Sequence, residues 1–152
     1  MHSPPEILLV EDNVHDAELT IRVLKKANLG QSLVHLRDGA EALDFLSDHN
    51  SFAGREARSE LKLILLDIKM PKVDGFEVLR AIKAEKATHL IPVVILTSSK
   101  QQQDMIRGYQ LGVNSYVVKP VDFESFAEVV RRLGIYWLGT NQWPQTPRTE
   151  QR

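Results

Sequence analysis

The chain has no cysteine. Disulfides, thiolate metal sites and cysteine nucleophiles are therefore excluded, and a reducing compartment is allowed. It has no excess of charge of either sign. Lys and Arg number 19 against 20 Asp and Glu, a formal net charge of -1. That balance gives no electrostatic reason to expect nucleic acid or an anionic membrane as partner. No apolar stretch approaches the ~18–20 residues that a membrane span needs. The short polar start, residues 1–5, lacks a basic region followed by an apolar core, so it does not read as a secretory signal. A cytoplasmic protein is expected. No glycine-rich phosphate loop follows the first apolar run, which disfavours a nucleotide or flavin site. The five histidines are scattered without metal-ligand spacing.

What is present is the material of one ordinary domain: 152 residues, 43% hydrophobic and 26% charged. Four short apolar runs rich in branched residues stand at Ile7–Val10, Leu63–Leu66, 93–96 and 116–118, with a weaker fifth at Leu33–Leu36. Such runs suit strands covered on both faces of a parallel sheet. Helical spacing fills the gaps: Val14, Ala17, Ile21 and Leu24; Ala42, Leu43 and Leu46; Phe76, Leu79 and Ile82; Met105, Ile106 and Tyr109; Phe126, Val130, Leu133 and Trp137. Alternating strands and helices predict an open parallel sheet with helices on both faces. Residues 28–30 end the first helix, Asp74 and Gly75 form the turn that starts the helix after the third strand, and Asp122 caps the last one. Residues 48–60 read as a polar surface loop. Residues 140–152, with two prolines, read as a mobile tail too short for a second domain.

In open parallel sheets ligands bind at the carboxyl ends of the strands, so the polar residues following each run are the ones to inspect. Glu11 and Asp12 follow the first run, Asp67 the third, Thr97 and Ser98 the fourth, and Lys119 and Pro120 the fifth. Three carboxylates at one edge repel one another, and a hard divalent cation relieves that repulsion. The expectation is a Mg2+ or Mn2+ site at Asp12 and Asp67, with Glu11 bound directly or through water. Oxygen ligands alone argue against zinc. A carboxylate can attack phosphorus. Lys119 and the Thr97 hydroxyl would then meet phosphoryl oxygens and offset the developing charge.

The segments Ile7-Leu-Leu-Val-Glu-Asp-Asn13, Leu65-Leu-Asp-Ile-Lys-Met-Pro-Lys-Val-Asp-Gly75, Val94-Ile-Leu-Thr-Ser98 and Ser115-Tyr-Val-Val-Lys-Pro120 resemble, in order, the four signature segments of response regulator receiver domains. The resemblance spans residues 6–139. It implies a flavodoxin-like, doubly wound, five-stranded parallel sheet in order 2-1-3-4-5 with helices on both faces. It also implies roles. Asp67 would be the phosphoacceptor. Glu11 and Asp12 would be the acidic pair, and the backbone carbonyl of Lys69 would complete the metal shell. Thr97 and Tyr116 would be the switch pair, and Lys119 would sense the phosphoryl group ahead of a cis bond to Pro120. The partner implied is a histidine kinase. The loop before the third strand and Ile135-Tyr-Trp-Leu138 resemble, more narrowly, small regulators paired with bacterial phytochrome-type histidine kinases.

Each residue also has a plainer reading. Glu11 and Asp12 could be a solvated turn capping the next helix, Lys119 a surface lysine, and Tyr116 ordinary strand packing. His15 reads as a surface residue. Lys69 and Ser99 lie in the expected active-site loops and would tune access to Asp67. On the last helix, Ile135 falls opposite the core stripe at ~100° per residue, and Leu138 lies off that stripe. Extra apolar groups there predict a homodimer through the last helix, against a scattered exposed residue or cover by Trp143. A metal-dependent phosphohydrolase is a competing reading, weakened because Lys69 stands two residues after Asp67, where an acid would be needed. A phosphorylation-independent binding module is another, opposed by the intact Asp12, Asp67 and Lys119. No DNA-binding output domain is expected.

Overall fold

The computed structural model describes residues 5–47, 58 and 60–144. The expected surface loop therefore lies almost wholly outside the described residues, as does the tail beyond residue 144. Among the described residues, five strands, β1 (Ile7–Val10), β2 (Leu33–Leu36), β3 (Leu63–Leu66), β4 (Val93–Thr97) and β5 (Ser115–Val118), alternate with five α-helices of nine residues or more. The helices are α1 (Val14–Lys26), α2 (Gly39–Ser47), α3 (Gly75–Ala84), α4 (Gln102–Gln110) and α5 (Phe123–Gly134). All strands are parallel, as the pattern of apolar runs predicts, and they stand in the order β2-β1-β3-β4-β5 that the resemblance implies.

The three central strands are buried along their whole length, while β2 and β5 at the edges are half-buried. This explains the weak apolar signal of β2, because an edge strand has less surface to hide. Successive side chains point to opposite faces, so each strand feeds two cores. Leu8, Val10, Ile64, Leu66 and Ile95 pack under α2 and α3, with Ala42, Leu46, Phe76, Leu79 and Ile82. Ile7, Leu9, Leu63, Leu65, Val94 and Leu96 pack under α1 and α5, with Ala17, Leu24, Phe126 and Val130. Each fully buried Leu, Ile or Val side chain contributes roughly 1.5–3 kcal/mol.

Polar side chains start the helices. Asn13 Oδ1 accepts from the Asp16 amide at 2.9 Å, Asp74 Oδ1 from Glu77 at 3.1 Å and Asp122 Oδ2 from Ser125 at 2.9 Å, each satisfying an orphan amide of the first turn. Asn28, at φ 60°, turns the chain out of α1.

Three helix readings need correction. On α1 the expected Ala17 and Leu24 are buried, but Val14 is exposed and Thr20 takes the remaining buried position. On α4, Ile106 and Tyr109 face outward at 55% and 56% exposure, while Asp104 and Gly108 are the buried positions. An apolar spacing records which residues share a side of a helix, not which side the sheet covers. Leu138, expected off the stripe, packs against the α1/α5 core beside Leu133 and Trp137. The cause is a π-helical turn, Ile135–Thr140, at the end of α5. A π turn stacks positions i and i+5, which brings Leu138 under Leu133 and leaves Ile135 and Tyr136 outside. Trp143 does not cover Ile135. Its ring lies 4.3 Å from Lys62 Nζ, and Lys62 pairs with Glu6.

Candidate functional site

The register of the central strands assembles the site. Val10 pairs with Leu66 across β1 and β3, and the Asp67 amide donates to the Val10 carbonyl at 3.0 Å. The residues that follow, Glu11 and Asp12 on one side and Asp67 on the other, therefore leave the sheet side by side. One carboxylate oxygen from each of the three lies within 4.8 Å of the others. Glu11 and Asp67 are buried and Asp12 is exposed.

β5 brings the cation. Val118 pairs with Thr97, and the Lys119 amide donates to the Thr97 carbonyl at 2.7 Å. From there the Lys119 side chain, only 8% exposed, places Nζ 2.7 Å from Glu11 Oε1, 2.8 Å from Asp16 Oδ2 and 3.1 Å from Asp67 Oδ2. Among the described residues no peptide bond is cis, so the expected cis bond at Pro120 is not found. The trans form is the favoured one by about 0.5–1 kcal/mol, and the strand pairing already aims the lysine.

The electrostatics follow from this crowding. Burial, then the Asp67 charge, push the Glu11 carboxyl up to about 8, with Lys119 pulling the other way. Burial opposes the Lys119 charge, but Asp16, Asp67 and Glu11 together hold that ammonium well above the usual lysine range. The site is thus short of positive charge even with Lys119 in it. Such an oxygen-only, charge-deficient cluster fits a hard divalent cation. The Lys69 amide donates to Asp67 Oδ1 at 3.2 Å, which places the backbone of Lys69 against the acceptor carboxylate. Gly75 keeps the same region tight, because a Cβ there would lie 2.3 Å from the Asp67 carbonyl oxygen.

Thr97 is fully buried at the end of β4, and its Oγ1 accepts from the Ser99 amide at 3.3 Å. Tyr116 is half-buried. Its hydroxyl donates to the Ser99 carbonyl at 3.1 Å, not to Thr97, and burial raises its hydroxyl above the usual tyrosine value. The structure therefore brings Glu11, Asp12, Asp67 and Lys119 into one cluster and joins Thr97 and Tyr116 to each other through Ser99. His15 is exposed, as expected.

Two residues escaped the sequence reading. Asp16 supplies a third carboxylate to Lys119. Asp104 accepts from Ser99 Oγ at 2.5 Å and pairs with Lys69 Nζ at 3.1 Å. Both are first-turn helix acids, which ordinarily just complement the helix dipole. The one available signal was their position: Asp16 lies one helical turn past Asp12, and Asp104 opens the helix that follows Thr97.

Comparison with known proteins agrees with this arrangement. Residues 7–131 match the model of the response regulator receiver domain. A probable methanogenesis regulatory protein, FilR2 of Methanothrix harundinacea, is 43% identical over 138 residues, covering 91% of this chain and 86% of that protein. The response regulator Rcp1 of Synechocystis is 39% identical over 143 residues, covering 93% of this chain and 95% of Rcp1. The crystal structure of the Mn2+-bound form of response regulator Rcp1 superposes with a TM-score of 0.81 at 36% identity, over 92% of this chain and 99% of the other. The phosphorylated cyanobacterial phytochrome response regulator RcpA superposes with a TM-score of 0.83 at 35% identity, over 95% and 99% of the two chains. With strand order, acidic cluster and buried lysine all in place, the chain belongs to the response regulator receiver domain family, the phosphoacceptor switches that work with histidine kinases in two-component signalling.

Proposed function

We propose that this chain accepts a phosphoryl group on Asp67 from the phosphohistidine of a histidine kinase, in a Mg2+-dependent reaction, and changes its partner-binding surface in response. The observation that carries the reading is the buried Lys119 ammonium lying on both Asp67 and Glu11. That is a positive charge placed where an incoming anion would otherwise meet two carboxylates.

In the transfer, Asp67 Oδ attacks phosphorus, the bond from phosphorus to the donor imidazole breaks, and the imidazole leaves with a proton from solvent. Lys119 shifts from carboxylate to phosphoryl oxygen as charge develops there. Glu11, Asp12, Asp67 and the Lys69 carbonyl would hold the divalent cation, whose contribution is to neutralise the phosphoryl oxygens. Mn2+ would serve in the same site. Thr97 moves toward the new oxygens, and Tyr116 turns into the space released. Water later attacks the acyl phosphate in the same pocket, so the protein dephosphorylates itself.

A groove between α1 and the loop after β5, lined by Asp16, Leu19, Pro120 and Phe123, borders Lys119 and gives the kinase a place to dock. Val121 and Phe123 are exposed at 98% and 63% beside it. The similarity to RcpA and Rcp1 supports a phytochrome-type kinase as donor. The chain works in the cytoplasm, without nucleic acid or membrane as partner, consistent with its near-zero net charge. Ile135 and Tyr136, turned outward by the π turn, support a homodimer through the last helix; sedimentation would show its dissociation on Ile135→Asp. The main test is incubation with Mg2+ and acetyl phosphate followed by intact-mass measurement. Wild type gains one phosphoryl group and Asp67→Asn none; equal gain by both, or by neither, removes the proposal.

A further inference from the structure

Asp104 ties the loop after β3 to the loop after β4. Its carboxylate is at the start of α4, buried at 8% exposure. It accepts from the Ser99 hydroxyl at 2.5 Å on the loop after β4. It also pairs with Lys69 Nζ at 3.1 Å on the loop after β3. Each of those partners is tied to a residue of the switch. The Lys69 amide donates to Asp67 Oδ1 at 3.2 Å. The Ser99 amide donates to Thr97 Oγ1 at 3.3 Å, and the Ser99 carbonyl accepts from the Tyr116 hydroxyl at 3.1 Å. A continuous chain of contacts thus runs from acceptor to Lys69, Asp104, Ser99 and then to both Thr97 and Tyr116.

We propose that Asp104 is a positioning residue that latches the resting state: it holds the Lys69 ammonium and the Ser99 hydroxyl together until a phosphoryl group on Asp67 competes for Lys69. The competition is one of charge. A phosphoryl group brings about -1.5 to -2 charge to a side chain two residues from Lys69, whereas Asp104 offers a single carboxylate. Once Lys69 changes partner, Asp104 no longer ties Ser99 to the loop after β3, and the segment that follows Thr97 is free to move with the Thr97 side chain. Tyr116, fastened to the Ser99 carbonyl, must release it to turn. The latch sets how tightly the resting state resists activation, and so how much occupancy a given donor achieves. It also explains why a carboxylate, rather than an apolar residue, fills the buried side of α4 at this position.

The inference rests on Asp67 being the acceptor, so its test carries a control for that reading. The probe is beryllofluoride in excess Mg2+, a stable stand-in for the phosphoryl group, titrated calorimetrically into wild type, Asp67→Asn, Asp104→Asn, Lys69→Ala and the double variant Asp104→Asn/Lys69→Ala. Asparagine at 104 can still accept from Ser99, so the fold is preserved while the ion pair is lost. Because Lys69 is 54% exposed, the pair lies at the weak end, and Asp104→Asn should tighten beryllofluoride binding about two- to fivefold. In the Lys69→Ala background the same change should have no effect. Tightening that persists without Lys69 would mean a through-space effect of one less negative charge, and it overturns the latch. Unchanged or weaker binding by Asp104→Asn overturns it too. Wild type that fails to bind, or Asp67→Asn that binds equally, overturns the acceptor reading and the latch with it.

Discussion

Raising the pH of the metal-free protein from 5 to 8 should weaken it, because the folded chain holds one proton on Glu11 that the unfolded chain does not. Glu11 is only 3% exposed, and burial together with the neighbouring Asp67 moves its carboxyl from an ordinary 4.5 to about 8. Between those values the folded chain holds a proton that the unfolded chain has released. Stability therefore falls as pH rises: the contribution is complete below 4.5 and is lost as pH passes through about 8. Each pH unit in that window is worth about 1.4 kcal/mol, so three units cap the effect at roughly 4 kcal/mol. Urea unfolding in EDTA at pH 5, 6.5 and 8 measures it. Saturating Mg2+ should flatten the slope, because a cation among Glu11, Asp12 and Asp67 replaces the proton and stabilises only the folded state. Glu11→Gln should flatten it without metal. A metal-free stability that is level or rising from pH 5 to 8, or a slope that survives Glu11→Gln, would refute the reasoning.

Two further outcomes follow from the same geometry. Asp16→Asn should cost about 1–2 kcal/mol in urea unfolding at pH 7, since it removes a charge-assisted hydrogen bond to a nearly buried ammonium; a loss of a few tenths would mean that water screens the pair. Gly75→Ala should cost about 1–3 kcal/mol or more and slow phosphoryl uptake, because the added methyl would meet the Asp67 carbonyl and the Ile68 Cα at 2.3 and 2.6 Å; wild-type stability would show that the loop yields freely.

Most of the architecture is legible in the chain itself. Runs such as Ile7–Val10 and Leu63–Leu66 are too short and too branched for helices, and the polar residue after each run marks a strand end. Those two facts place Glu11, Asp12, Asp67, Thr97 and Lys119 on one edge. What stayed hidden depends on which side of a helix the sheet covers and on departures from ideal period. Ile106 and Tyr109 share a stripe that faces solvent. Leu138 is turned inward by a π turn that no spacing rule anticipates. Asp16 and Asp104 look like dipole-complementing acids until β5 and the loop after β3 bring Lys119 and Lys69 to them. The trans bond at Pro120 corrects an expectation that came from resemblance alone.

The bond from the Lys119 amide to the Thr97 carbonyl, at 2.7 Å, divides the site into a stator and a rotor. Lys119 is clamped by its backbone to β4 and by its ammonium to three acids, so its travel is confined to the pocket it already fills. In the proposed switch, motion is left to the side chains of Thr97 and Tyr116 and to the residues from Ser98 onward, which lie past the last pairing of β4 with β5. On that proposal, partners that distinguish the two states touch the α4 and β5 side of the molecule, while the Lys119 side offers the same face in both.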